Sequence, residues 1–186
     1  MTISKLLTGL VLAGGLVLPG LALAQGAAPV VPTDTKTIGS WTVRCYPNGG
    51  PRPCDMSEVM QDKNTGQRVL GVSFAFDPMA DRHVVQIAVP LGVAIQSGIV
   101  IKAASFTSEK MPYRRCDNAG CYVEMIIPNQ LTDTLAQSGN SSTVNIAANA
   151  GKVVPLPLSL DGFAAAHDAM MTLARQKAKP AEAPKP

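Results

Sequence analysis

The chain has 186 residues, with 16 Lys and Arg against 13 Asp and Glu, and therefore a net charge of +3. This small excess gives no support to nucleic-acid binding, which needs a dense basic patch. The length suits a single domain that is large enough to bury a hydrophobic core.

The N-terminal segment has the pattern of a secretory signal peptide. Lys5 supplies the positive charge, residues 6–18 are mostly apolar, and the sequence Ala22-Leu23-Ala24 fits a signal-peptidase site. We predict cleavage after Ala24 and a periplasmic or secreted product. The alternative is a retained anchor, but a transmembrane helix needs about 20 apolar residues and this run is shorter. No other stretch could span a bilayer, so the mature chain is predicted to have no transmembrane segment.

Composition sets the predicted domain limits. Residues 25–36 are rich in Ala, Pro and Thr and predict a flexible leader. Residues 175–186 contain almost only Lys, Pro, Ala and Glu and predict a disordered tail. The folded domain is therefore expected over residues 37–174.

Strands dominate the predicted fold. Six segments show the alternation of a strand with one buried face, and turn signals separate them. They are centred on Trp41–Cys45, Leu70–Phe76, Val85–Val89, Ile99–Ala103, Cys121–Ile127 and Val144–Ile146. Short strands with frequent turns predict a sandwich or a barrel.

Two helices are expected. A short one covers Leu131–Gln137 and ends at Ser138-Gly139. A C-terminal helix runs from about Gly162 to Lys177, with Asp161 as its predicted N-cap. One apolar face of that helix should dock on the sheets; it contains Phe163, His167, Met170 and Ala174.

Four cysteines in an exported protein predict two disulfides. Local pairing, Cys45 with Cys54 and Cys116 with Cys121, is favoured because each pair brackets a turn-rich segment. Crossed pairing stays open, because loop entropy favours the longer loops of the crossed arrangement.

No catalytic or metal-binding constellation is visible in the sequence, so no cofactor, catalytic residue or metal ligand is predicted. The chain has two histidines: His83 is expected at the surface and His167 in the core. Motifs for redox dithiols, serine nucleophiles, phosphate loops and dinucleotides are absent. An enzyme of unrecognised type would need a pocket where His83 or His167 meets acids and a hydroxyl.

Aromatic and arginine side chains near the cysteines form a candidate interaction surface. Its residues are Tyr46, Tyr113, Arg114, Arg115 and Tyr122. The alternative is that the tyrosines pack over the disulfides. Trp41 is expected in the core.

An ordered set of short motifs resembles the invasion-associated locus B family of exported bacterial proteins. The set consists of Gly39-x-Trp41-x-x-x-Cys45, Pro53-Cys54, Val89-Pro90-Leu91-Gly92-Val93, the Cys116–Cys121 pair with Gly120, and Leu156-Pro157-Leu158-Ser159-Leu160-x-Gly162-Phe163. The resemblance implies an immunoglobulin-like β-sandwich, a periplasmic, surface or secreted location, and an association with host-cell invasion in some pathogens. It implies no catalytic residues.

The sequence therefore predicts a non-enzymatic interaction module of the bacterial cell envelope, whose partner is an envelope or host protein or a glycan. A periplasmic folding or assembly factor is the alternative, and an unrecognised periplasmic enzyme is a third hypothesis.

Overall fold

The computed structural model describes residues 30–47, 50–104, 106–139, 142–149 and 151–178. The predicted signal peptide, the leader up to residue 29 and the tail from residue 179 lie outside the described residues.

The described residues contain eleven strands, two α-helices and one 3₁₀ turn. They are β1 Asp34–Ile38, β2 Trp41–Cys45, β3 Cys54–Gln61, β4 Arg68–Asp77, β5 Arg82–Val89, the 3₁₀ turn Ile95–Ser97, β6 Ile99–Ala103, β7 Phe106–Thr107, β8 Arg115–Asp117, β9 Gly120–Ile127, α1 Asn129–Gln137, β10 Ser142–Ala147, β11 Val153–Leu158 and α2 Phe163–Lys177.

The strands form two antiparallel sheets. The larger has the order β1-β2-β3-β4-β5-β9-β8, and the smaller has the order β11-β10-β6-β7. The expected mainly β, sandwich-like fold with one short helix and a C-terminal helix is confirmed. In the described part of the chain, no helix is long and apolar enough to cross a membrane.

The core lies between the sheets because the inward side of each strand is apolar. Val43, Met56, Phe74 and Val85 occupy neighbouring register positions of β2, β3, β4 and β5, and all four are buried. Buried Ile101 and Val144 face this core from paired positions on β6 and β10 of the smaller sheet.

Helix α2 closes the core over β1 to β4. Phe163 meets Trp41 and Phe74 edge-on, with ring centroids 5.0 and 5.5 Å away. Trp41 is fully buried, as expected, and its Nε1 donates a hydrogen bond to the Ser159 carbonyl at 3.0 Å. Burial of Phe163, Ala166, His167, Met170 and Ala174 confirms the predicted docking face.

The N-cap prediction for α2 is wrong. The capping position is Gly162, one residue after Asp161, and no side chain caps the helix there. Gly162 has a left-handed φ of +75°, and a Cβ on it would lie 2.4 Å from the Ile38 carbonyl oxygen. The close approach of the β1–β2 turn therefore decides the start of the helix.

Regular secondary structure reaches into both predicted flexible segments. Strand β1 begins at Asp34, inside the predicted leader, and α2 continues to Lys177, inside the predicted tail. Lys177 Nζ lies 2.6 Å from Asp34 Oδ2, and Arg175 lies over the Phe76 ring at 5.1 Å. The helical pattern predicts the end of α2 at Lys177, as observed, whereas composition alone places residues 175–177 in the tail because their side chains are polar.

Both disulfides join cysteines that are close in sequence, Cys45 to Cys54 and Cys116 to Cys121. Each pair also occupies opposite register positions of neighbouring antiparallel strands, β2–β3 and β8–β9. Cys45 and Cys54 are buried in the core, whereas Cys116 is exposed.

Removing the Cys45–Cys54 disulfide as a double alanine variant should cost more stability than removing Cys116–Cys121. Loop entropy gives about 2–3 kcal/mol for either short loop. The first variant removes core volume at both Cys45 and Cys54, whereas the second does so only at Cys121, so the first should lose about 1 kcal/mol more. Urea denaturation of the two variants measures the difference. Equal losses would contradict a core role for the first disulfide.

Candidate functional site

The predicted interaction residues lie around the outer face of the larger sheet, with one exception. Tyr46 follows β2, Arg114 precedes β8, Arg115 lies in β8, and Tyr122 lies in β9 opposite Arg115. Tyr113 differs: it packs against the hydrophobic core, and burial raises the pKa of its hydroxyl to about 12.

Tyr122 does not present a free ring. It is only 9% exposed, the Arg115 guanidinium lies 3.8 Å from its ring centroid, and that of Arg68 lies at 6.0 Å. Stacked guanidinium groups over a tyrosine are a stabilising cation–π arrangement. Tyr122 therefore supports the β8–β9 hairpin, and the arginines form the accessible surface.

A shallow depression, which we call the outer groove, crosses the exposed face of β4 and β5. Its floor carries mostly small side chains at alternate positions, namely Gly71, Ser73 and Ala75 on β4 and Val84, Gln86 and Ala88 on β5. Two adjoining depressions of about 590 and 210 Å³ share Ser73 and Gln86. Small residues on β4 leave a trough between the larger side chains of the neighbouring strands, β3 and β5.

One wall of the outer groove is an ion pair extended by hydroxyl groups. Arg44 Nε lies 3.2 Å from Asp55 Oδ1, and Arg44 Nη2 donates to Ser57 Oγ at 2.9 Å. Burial raises the pKa of Asp55 and Arg44 opposes that rise. Burial, and then the neighbouring Asp55 carboxylate, raises the pKa of the Tyr46 hydroxyl.

The opposite wall is built around Glu124. Gln86 Nε2 donates to Glu124 Oε1 at 2.8 Å, while Arg115 and Arg114 approach the same carboxylate at 3.6 and 3.8 Å. The side chain of Arg114 is 70% exposed. The outer groove therefore offers fixed donors and acceptors with exposed guanidinium groups at its rim.

Sequence reasoning missed most of the groove residues. Arg44, Asp55, Ser73, Gln86 and Glu124 occupy outward positions of the strands, and most of those strands were predicted. The alternation that predicts their neighbours to be buried also predicts that these residues face outward. It could not show that small side chains on β4 make the face concave.

The prediction that His83 lies at the surface is wrong. His83 is 2% exposed and occupies an inward position of β5, and its Nε2 lies 2.8 Å from Nε2 of His167. His83 Nδ1 lies 2.8 Å from Asn129 Oδ1. Because an amide oxygen only accepts, His83 Nδ1 donates to it, and the two Nε2 atoms share one hydrogen bond.

His167 is buried in the core as expected, and the histidine pair sits between aromatic rings. Phe76 contacts His83 at a centroid distance of 4.9 Å, and Phe163 stacks on His167 at 6.0 Å. Burial, and then the neighbouring His83, lowers the pKa of His167 to about 4. Among the described residues, no group of three or more His, Cys, Asp or Glu side chains could hold a metal ion.

A second open depression, of about 690 Å³, lies where β3 meets the end of the smaller sheet. Glu58 accepts hydrogen bonds from the Ser159 backbone N–H at 3.1 and 3.3 Å. Burial raises the pKa of Glu58 to about 7, against the lowering effect of that hydrogen bond. The Glu58 carboxyl thus connects β3 to the segment before α2.

Comparison with known proteins gives concordant results. A family model described as "Invasion associated locus B (IalB) protein" matches residues 41–171. The invasion protein B homologues of Brucella abortus strains 2308 and 9-941 are each 23% identical over 143 residues, which is 77% of this chain and 82% of theirs. The crystal structure of invasion associated protein B from Bartonella henselae superposes with a TM-score of 0.64 at 19% identity, covering 77% of this chain and 99% of that one.

Proposed function

Because the chain belongs to the invasion associated locus B family, we propose that it is an exported, non-enzymatic interaction module of the bacterial cell envelope. The outer groove carries this proposal. It is an accessible concave surface with ordered polar walls on a rigid sheet, and preorganised side chains lose little entropy on binding.

The disulfides support both the proposed export of the chain and its proposed role as an interaction module. Stable disulfides are typical of proteins that fold outside the cytoplasm. Each bond also fixes an end of the outer groove, Cys45–Cys54 beside Tyr46 and Cys116–Cys121 beside Arg115.

The interaction can be tested by photo-crosslinking in living cells. A photoreactive amino acid replaces Gln86, at the centre of the outer groove, and the matched control carries it at exposed Lys152, in the β10–β11 turn. We expect a dominant envelope partner to be captured from position 86 and not from position 152. The intact mass of this protein itself, purified without a crosslinked partner, should correspond to a chain that starts at Gln25.

Other outcomes separate the hypotheses. Equal capture from both positions, or neither a protein nor a glycan adduct at position 86, would contradict binding at the outer groove. Many unrelated exported proteins captured from position 86 would indicate a folding or assembly factor instead. A product that retains residues 1–24 would contradict signal-peptide cleavage.

A further inference from the structure

We propose that the outer groove binds an acidic glycan, that is, a hydroxyl-rich oligosaccharide bearing carboxylate groups. This inference rests on the proposed interaction function and assigns the class of ligand.

The polar groups of the walls and floor suit hydroxyl groups, which both donate and accept hydrogen bonds. Asp55 and Glu124 provide acceptor oxygens, Gln86 provides both kinds of group, and Ser57 and Ser73 provide hydroxyls. Existing contacts such as Arg44 to Ser57 and Gln86 to Glu124 hold these groups in place. The partly buried carboxylates of Asp55 and Glu124 would repel a ligand that offers only anionic acceptors, so the ligand must also supply donors.

The rim supplies the positive charge for a carboxylate. Arg52 and Arg114 line the larger depression and both are exposed. Within the described part of the chain no carboxylate pairs with Arg52, and Arg114 approaches Glu124 only at 3.8 Å. Guanidinium groups bind carboxylates through two parallel hydrogen bonds, which gives them preference over neutral ligands.

A peptide fits this surface less well. Peptides that join a sheet need a free strand edge, and the outer groove crosses β3, β4 and β5, which are paired on both sides. An amphipathic helix needs apolar pockets, but the central floor offers Gly71, Ser73 and Gln86. The apolar side chains of Val84 and exposed Ile126, at one end, can cover the C–H face of a sugar ring.

The test is isothermal titration of the disulfide-bonded protein with tetragalacturonate, a hyaluronan tetrasaccharide and uncharged maltotetraose. We expect at least one acidic tetrasaccharide to bind tenfold or more tightly than maltotetraose. Replacing both rim arginines, Arg52→Gln with Arg114→Gln, should weaken acidic binding at least tenfold. The control Lys152→Gln removes a positive charge outside the groove and should have no effect.

A second variant tests the floor independently of charge. Ser73→Leu fills the trough with a side chain that a strand surface tolerates, and it should abolish saccharide binding while the melting temperature stays near that of the parent. Failure of both acidic tetrasaccharides to bind would overturn the proposal. So would unchanged binding in the arginine variant, or equally tight binding of inorganic polyphosphate, which lacks hydroxyl groups. A partner protein crosslinked from position 86 without any saccharide binding would keep the interaction function and reject only the glycan.

Discussion

Replacing Gly162 with alanine is expected to lower the free energy of unfolding by about 3 kcal/mol or more. The left-handed φ of +75° alone costs an L-residue about 1–2 kcal/mol. The new Cβ would also lie 2.4 Å from the Ile38 carbonyl oxygen and 2.9 Å from Gly39 Cα. Because the contacting atoms of Ile38 and Gly39 belong to the backbone, they cannot move aside at a small energetic cost. Helix α2 must therefore move away from the β1–β2 turn.

Gly66→Ala is the matched control for this prediction. Gly66 has a similar φ of +69°, but a Cβ there would meet no atom within 4 Å. The Gly66→Ala substitution should therefore lower the free energy of unfolding by only about 1–2 kcal/mol. Urea denaturation followed by far-UV circular dichroism measures both variants. A Gly162→Ala loss no larger than the Gly66→Ala loss would contradict the steric role of Gly162.

The Gly162 contact belongs to a wider junction between the β1–β2 turn and the segment before α2. Ser40 donates its backbone N–H to the Asp161 carbonyl at 3.1 Å, and the Ser40 and Ser159 hydroxyls lie 2.9 Å apart. A Cβ on Gly39 would in turn lie 2.4 Å from the Asp161 carbonyl oxygen. Gly39 and Gly162, two of the four glycines in the family-like motifs, thus permit backbone contact between distant parts of the chain.

Alternation was sufficient to predict strands whose inward residues are all apolar. Strand β4, with Leu70, Val72, Phe74 and Phe76 inward, is the clearest case. Strand β3 was missed because Glu58 follows Met56 on the inward side, where its carboxyl reaches the Ser159 backbone.

Strand β11 was missed for a different reason. Pro155 and Pro157 argue against a strand, since proline cannot donate to the ladder. The structure places β11 at the edge of the smaller sheet, where its other side needs no partner. Position in the sheet, which depends on the whole fold, decides whether proline is tolerated.

The candidate site was predictable only in part. The pattern of β9 places Tyr122 outward, but only strand register brings Arg115 over its ring. The pattern of β5 extends to His83, which alternation puts on the same side as buried Val85, although His83 was predicted at the surface. Its contact with His167, 84 positions along the chain, required the docking of α2.

The histidine pair is expected to make the protein less stable at acidic pH. Asp133 on α1 and Asp168 and Arg175 on α2 also act on His167, but burial and His83 dominate and lower its pKa from 6.5 to about 4. The unfolded chain therefore binds more protons than the folded one between these values. Stability is lost as pH falls from 6.5 to about 4, by about 2–3 kcal/mol.

Glu58 acts in the opposite direction over an overlapping range. Its pKa is raised from 4.5 to about 7, so the folded state binds more protons between these values. Protonation of Glu58 therefore stabilises the folded state increasingly as the pH falls from 7 to 4.5. Because the carboxyl is only half-buried, solvent screening reduces the effect to about 1–2 kcal/mol.

Two amide variants should reveal the opposing contributions, which partly cancel in the parent protein. Glu58→Gln keeps an oxygen for the Ser159 N–H, and His167→Gln keeps an amide that can donate to or accept from His83 Nε2, while each removes one titration. Urea unfolding at about pH 7, 5.5 and 4.5 should show Glu58→Gln losing stability toward low pH and His167→Gln gaining it. Other carboxyl groups titrate alike in both variants, so the difference between the two slopes isolates these sites. If the free energies of unfolding of the two variants changed with pH in parallel, the pKa shift of Glu58 or that of His167 would be contradicted.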